Sequence, residues 1–209
     1  MAVTFIFEGE SRSFPDGAVD MAGEGVVLAG RPIGDVRRID AAAGARFVAV
    51  ELGTECLGEH IGLEPLEELQ KFVGFARFRL GEGTPTQLVE LVSLPTTDPD
   101  AAAAAKSAFE SAGFNVARCA DTPGRIVDRL LRPYFNAVLR RLDEGLASAD
   151  DMDRTLQLGL GYPEGPNALL ARTGLDHHHD VTSVLYALLG DQDFASARRA
   201  RVAKARSGS

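Results

Sequence analysis

Apolar positions follow two different patterns along the chain. Up to about residue 120 they come as short runs rich in β-branched and aromatic residues, at 3–7 (VTFIF), 25–30 (GVVLAG), 47–52 (FVAVEL), 72–78 (FVGFARF), 87–93 (QLVELVS) and 114–120 (FNVARCA). Runs of that length and composition predict strands. Between the last two, residues 96–113 predict a helix with Asp98 as N-cap, Pro99 as first residue, Phe109 as core anchor and Gly113 as stop. The strand–helix–strand order predicts a parallel crossover. Residues 63–71 predict a short amphipathic helix, and residues 33–44 are only weakly patterned.

Beyond residue 120 the period becomes helical. Ile126, Val127, Leu130, Leu131, Tyr134, Val138, Leu139 and Leu142 recur at 3–4 residue spacing. This helix is expected to open at Pro123 under an Asp121 or Thr122 cap, to kink at Pro133 and to stop at Gly145. A second helix is expected to start at Ser148, with Asp151 as a weak capping box, to face Met152 and Leu156 inward and to end at Gly159. Residues 161–166 (GYPEGP) predict a fixed turn. A short helix over 166–173, closed by Gly174, follows it. The next helix, 177–189, should carry Val181, Val184, Leu185 and Leu188 on one face and end at Gly190. The reading is an α/β part over residues 1–120 followed by an all-α part over 121–209.

Composition narrows the function classes. The chain has 209 residues, 45% hydrophobic and 25% charged, and a formal net charge of −8, which argues against a nucleic-acid partner. Its basic residues gather late, at Arg198, Arg199, Arg201, Lys204 and Arg206, and are read as a solvated last helix. Cys56 and Cys119 are too few for a disulfide framework, which suits a reducing, cytoplasmic setting. Residues 1–7 have no signal-peptide pattern, and no apolar run approaches membrane-spanning length, so no membrane association is expected. Two groups invite a metal. Glu51, Glu55, Glu59 and His60 are better read as an acidic helix start beside a surface histidine. His177, His178 and His179 point about 100° apart on a helix and do not converge on one ion. No metal site is expected.

The spaced motifs DTPGRIVDRLLRPYFN from Asp121, EGLASADDMD from Glu144, GLGYPEGP from Gly159 and GLD from Gly174 occur in one order. In that order they resemble the C-terminal helical domain of the 3-hydroxyacyl-CoA dehydrogenase family, and the likeness extends back to about Phe72. The resemblance implies a Rossmann-like α/β domain followed by a helical domain like that of 6-phosphogluconate dehydrogenase, a homodimer through the C-terminal helices, and NAD and acyl-CoA as ligands. A dinucleotide fold needs G-x-G-x-x-G after its first strand. Here Gly9 to Gly17 read GESRSFPDG, with Glu8 and Glu10 where a pyrophosphate would lie. The α/β part is therefore read as a truncated Rossmann-like sheet lacking the fingerprint, with no cofactor-binding residues and no cofactor expected; NAD enters only under an alternative reading.

The resemblance carries over residue by residue with mixed results. Glu90, in Leu88-Val89-Glu90-Leu91-Val92, stands at the family's catalytic Glu. The family's catalytic His position falls on Ala76, and its substrate-holding Asn position on Asp128. Arg125 replaces the usual aromatic residue. Alanine has no proton to move, and a positioned acid or base is worth about 10²–10⁴ in rate. Asp128 adds a negative charge, which Arg77, Arg79, Arg125 or Arg129 could balance beside Glu90. On a strand Glu90 shares a face with Leu88 and Val92, so its carboxylate needs a partner whether it is a retained acid or half of a structural ion pair. Three functions follow in order: a relative without normal NAD-dependent catalysis that binds an acyl-CoA-like ligand between its two parts; an active dehydrogenase with an unconventional cofactor site; and a non-catalytic partner subunit of a β-oxidation-type enzyme.

Overall fold

The computed structural model describes residues 2–30 and 44–207. Most of the weakly patterned 33–44 stretch lies outside the described residues. The chain divides into two compact units, Met1–Arg79 with Thr84–Ile126, and Leu80–Gly83 with Val127–Ser209.

The first unit is a six-stranded sheet in sequential order, β1 (Thr4–Glu8), β2 (Gly25–Gly30), β3 (Phe47–Glu51), β4 (Phe72–Arg77), β5 (Leu88–Ser93) and β6 (Asn115–Ala120). β1 to β4 run parallel, β4 pairs antiparallel with β5, and β5 runs parallel to β6. β2 and β3 are buried on both faces, which explains their unbroken apolar runs. One face packs under α2 (Pro99–Ser111), whose Ala101, Ala102, Ala105, Ala108 and Phe109 form the buried stripe. Small alanines let the helix lie close to Phe47, Phe75 and Val89 below it. The Asp98 side chain caps α2 as expected, accepting the Asp100 N–H at 2.9 Å.

The other face is covered by α1 (Leu57–Ile61) and a 3-10 turn at Glu67–Leu69. The helix expected over residues 63–71 is not formed. Gly62 at φ 85 ends α1, and Leu63 and Leu66 face outward.

The second unit holds α3 (Val127–Asp143), α4 (Ala149–Leu160), α5 (Pro166–Thr173), α6 (Leu175–Leu189) and α7 (Arg198–Ser207). Phe135, Leu139, Leu170, Ala197 and Ala200 form its core, and Leu80 packs against them. Pro133 lies inside α3 without ending it. α3 does not open at Pro123, because Gly124 and Arg125 both take left-handed backbone angles, φ 72 and φ 50. Asp121 caps α1 instead, accepting the Leu57 and Gly58 N–H groups at 2.7 and 2.9 Å. α4 starts as expected, with Ser148 Oγ accepting the Asp151 N–H at 3.1 Å. It passes through Gly159 and ends at Gly161 in the left-handed region. No helix among the described residues is long and apolar enough to cross a membrane.

Candidate functional site

The antiparallel β4–β5 ladder sets Ala76 directly opposite Glu90. Partners in such a ladder share a face, with Cβ atoms about 5 Å apart. The two positions expected to carry the family's His and Glu are thus cross-strand neighbours, and one of them ends at a methyl group. Glu90 is buried. Its Oε1 accepts the Ile126 N–H at 2.8 Å, and its Oε2 lies 3.4 Å from Nε of Arg125.

Arg125 is held by the turn that precedes α3. The Gly124 N–H donates to the Thr54 carbonyl at 3.0 Å, the Arg125 N–H to the Thr122 carbonyl at 3.1 Å, and Arg125 Nη2 to the Gly53 carbonyl. The 121–126 segment is therefore tied to the β3–α1 connection at several points. The same neighbourhood acts on both cysteines. Burial, then the Asp121 carboxylate, push the Cys56 thiol up to about 11; burial, then Glu90, do the same for Cys119.

Asp128 lies in the second unit, in the first turn of α3. Its Oδ1 accepts from Arg132 Nε at 2.7 Å, one helical turn on. Arg132 begins a buried polar chain. Its Nη1 meets His178 Nδ1 at 3.3 Å, His178 Nε2 meets Asn136 Oδ1 at 3.0 Å, and Asn136 Nδ2 donates to Thr182 Oγ1 at 2.9 Å and to the Asp193 carbonyl at 3.0 Å. Because Arg132 can only donate, Nδ1 of His178 accepts and Nε2 carries the proton. Burial, then the Arg132 charge, drive the His178 pKa down to about 3.

The histidine run thus splits three ways. His178 joins the core network, His179 bonds Ser196 at 2.9 Å, and His177 lies 3.8 Å from Glu82. The signal that could have revealed this network is polar residues at four-residue spacing, 128, 132, 136 and 140 on α3, facing 178 and 182 on α6.

The acidic cluster after β3 is also divided among separate tasks. Glu59 accepts the Cys56 N–H at 2.8 Å. Burial raises the Glu55 pKa, but the bonds from His60 (3.2 Å) and the Gly53 N–H outweigh it and bring the group to about 2. Glu51 is buried and accepts three bonds, from Ser11 Oγ at 2.7 Å and from the Ser13 and Gly30 N–H groups at 2.6 Å each. Its carboxylate thereby ties residues 11–13 over the carboxyl ends of β1 and β2. Among the described residues no helix stands between β1 and β2, so that end of the sheet lacks the helix N-terminus on which a dinucleotide's pyrophosphate ordinarily rests. Two of its amides already donate to a carboxylate.

In the helical unit the GYPEGP turn has a packing reason. Asp153 on α4 caps α5, accepting the Asn167 N–H at 2.9 Å and the Ala168 N–H at 2.8 Å. A Cβ on Gly165 would fall 2.1 Å from that of Asp153, so only glycine fits.

Residues 124–208 match the family described as 3-hydroxyacyl-CoA dehydrogenase, C-terminal domain. Over 90 residues the chain is 41% identical to the mitochondrial hydroxyacyl-coenzyme A dehydrogenase of Sus scrofa, a match covering 43% of this chain and 29% of that protein. Over 91 residues it is 42% identical to a 3-hydroxybutyryl-CoA dehydrogenase of Mycobacterium tuberculosis, covering 43% of this chain and 32% of that protein. The chain therefore spans about a third or less of these curated relatives. The fold is similar to that of the (S)-3-hydroxybutyryl-CoA dehydrogenase of Ralstonia eutropha, with a TM-score of 0.72 and 24% identity over 88% of this chain and 66% of that one. These findings correct the expectation that no cofactor is involved, since the matched relatives are named as dehydrogenases. Residues 124–208 are thus similar to the C-terminal domain of the 3-hydroxyacyl-CoA dehydrogenase family.

Proposed function

We propose that the chain acts in acyl-CoA metabolism as a 3-hydroxyacyl-CoA dehydrogenase relative that binds an acyl-CoA-like ligand near Glu90, without the imidazole–carboxylate pair that moves the substrate proton. The carrying observation is the Ala76–Glu90 register. A methyl group faces the one acid of the pair that is kept, and that acid is engaged by the Ile126 amide and Arg125. Loss of a positioned base lowers the rate about 10²–10⁴-fold while leaving binding contacts in place.

The test is a thermal-shift panel with free CoA, acetoacetyl-CoA, longer acyl-CoAs, NAD⁺ and NADH, run beside an NADH-oxidation assay on acetoacetyl-CoA. Stabilisation by CoA esters with turnover at least about 100-fold below that of an Ala76→His variant supports the reading. Turnover in the unaltered chain equal to that of the variant refutes it. The dehydrogenase names of the relatives favour a second reading, an active enzyme, and NADH oxidation by the unaltered protein would establish it. No response to any ligand would favour a partner subunit without a ligand of its own.

The helical unit is proposed to form a homodimer. Leu130 on α3 and Leu158 and Leu160 on α4 are each about two-thirds or more exposed, a costly arrangement for a lone chain. Sedimentation of the purified protein tests this.

A further inference from the structure

Arg125 combines two features that ordinary structural arginines lack. It is the only non-glycine residue with positive φ among the described residues. That backbone conformation costs energy and persists only where the surroundings impose it. Its side chain is also 5% exposed, and neither Nε nor Nη1 has a hydrogen-bond partner among the described residues. A buried charged donor left unpaired is strongly unfavourable, and such groups concentrate where a ligand completes the set. Glu90 compensates the charge at 3.4 Å without taking up Nη1.

We propose that Arg125 is the specificity-determining donor of the Glu90 site, with Nη1 donating to the 3-oxo oxygen of an oxoacyl thioester in the role the absent imidazole leaves open. The inference rests on the acyl-CoA reading given above. Its logic is one of donors and acceptors. A guanidinium can only donate. Glu90 Oε1 accepts the Ile126 N–H at 2.8 Å, and Oε2 lies 3.4 Å from Arg125 Nε, a charge contact rather than a hydrogen bond. The site therefore offers a cationic donor to an acceptor oxygen. A ketone or enolate oxygen meets it fully; the matching 3-hydroxyacyl thioester brings a weaker acceptor.

The experiment is calorimetric titration of the full chain with acetoacetyl-CoA, 3-hydroxybutyryl-CoA and free CoA. Arg125→Lys and Arg125→Gly follow, each with its ligand-free melting temperature recorded. Lysine keeps a cation for Glu90 without the fork, and glycine accepts the left-handed backbone without strain. The expected result is about tenfold or tighter binding of the oxo ester over the hydroxy ester, with the ratio falling toward one in both variants while free CoA affinity holds. Equal affinity for the two esters in the unaltered protein, or a ratio unchanged in folded Arg125→Lys, overturns the role of Arg125 and leaves the acyl-CoA reading standing. Failure of all three CoA compounds to bind overturns both.

Discussion

His178 makes the helical unit acid-sensitive in a way that can be isolated. Its ring is buried between Arg132, which donates to Nδ1, and Asn136, which accepts from Nε2. A proton on Nδ1 would face a guanidinium inside a dry core, and the pKa falls from 6.5 to about 3. The unfolded chain takes up this proton near pH 6.5 and the folded chain does not. Stability from this group is therefore complete above pH 7, declines as pH falls through 6.5, and goes on declining until about pH 3. At about 1.4 kcal/mol per pH unit, the loss between pH 7 and pH 5 is about 2 kcal/mol. Urea unfolding at half-unit steps across that window, on the unaltered chain and on His178→Gln, reads the difference. The variant keeps a neutral polar side chain and lacks the titrating group, so its curve should be flatter by that amount. Choosing pH 7 to 5 keeps most carboxylate titration out of the comparison. Parallel curves would show that His178 is protonated in the folded state, and the buried-network account would fall.

Other consequences are direct. Cys56 and Cys119, with thiols raised to about 11, should alkylate with iodoacetamide at pH 8 about 100-fold more slowly in the folded chain than in urea; comparable rates would contradict their placement. Gly165→Ala should cost about 3 kcal/mol in chemical denaturation, since its Cβ clashes with that of Asp153 and drives the cap off α5, and an Asp153→Gly background should absorb much of that penalty. Glu51→Gln should cost about 1–3 kcal/mol and Glu51→Ala more, because the amides of Ser13 and Gly30 lose a charged acceptor; hydrogen exchange at those two amides should accelerate ahead of the strand core.

The strands were legible because buried parallel strands leave long apolar runs, as GVVLAG and FVAVE do. Caps were legible where the capping residue acts on its own helix, as Asp98 and Ser148 do. Where a capping side chain serves a distant element, adjacency misleads. Asp121 stands before the α3 pattern yet caps α1, 64 residues away in sequence. Glu51 reads as one of a local acidic group and instead organises residues 11–13, 38–40 positions earlier. The candidate site was half legible. Pairing Ala76 with Glu90 needed only the motifs and strand register. Choosing Arg125 among four candidate arginines needed the left-handed backbone at 124–125, of which Gly124 was the only sign in sequence.

The two buried polar groups differ in a way that separates structure from function. In the helical unit, Asn136 Nδ2 donates to Thr182 and the Asp193 carbonyl, and its Oδ1 faces His178 and the Ala197 N–H. Every arm is used, which is how a polar network fixes one packing arrangement. In the sheet unit, Arg125 leaves Nη1 unpaired and takes a strained backbone to do so. Asn136→Ala should therefore act on stability alone. It takes from His178 Nε2, the Ala197 N–H and the Asp193 carbonyl the partner they share in a buried site, a loss of about 3–5 kcal/mol. The preference for oxo over hydroxy esters should be unchanged in whatever fraction stays folded. Arg125→Lys should do the reverse, moving that preference with a smaller stability change. Measuring urea midpoints and ester affinities on both variants gives the four numbers needed. If Asn136→Ala shifts the ester ratio as far as Arg125→Lys does, satisfied and unsatisfied burial do not mark different roles in this chain, and the assignment of Arg125 loses its physical basis.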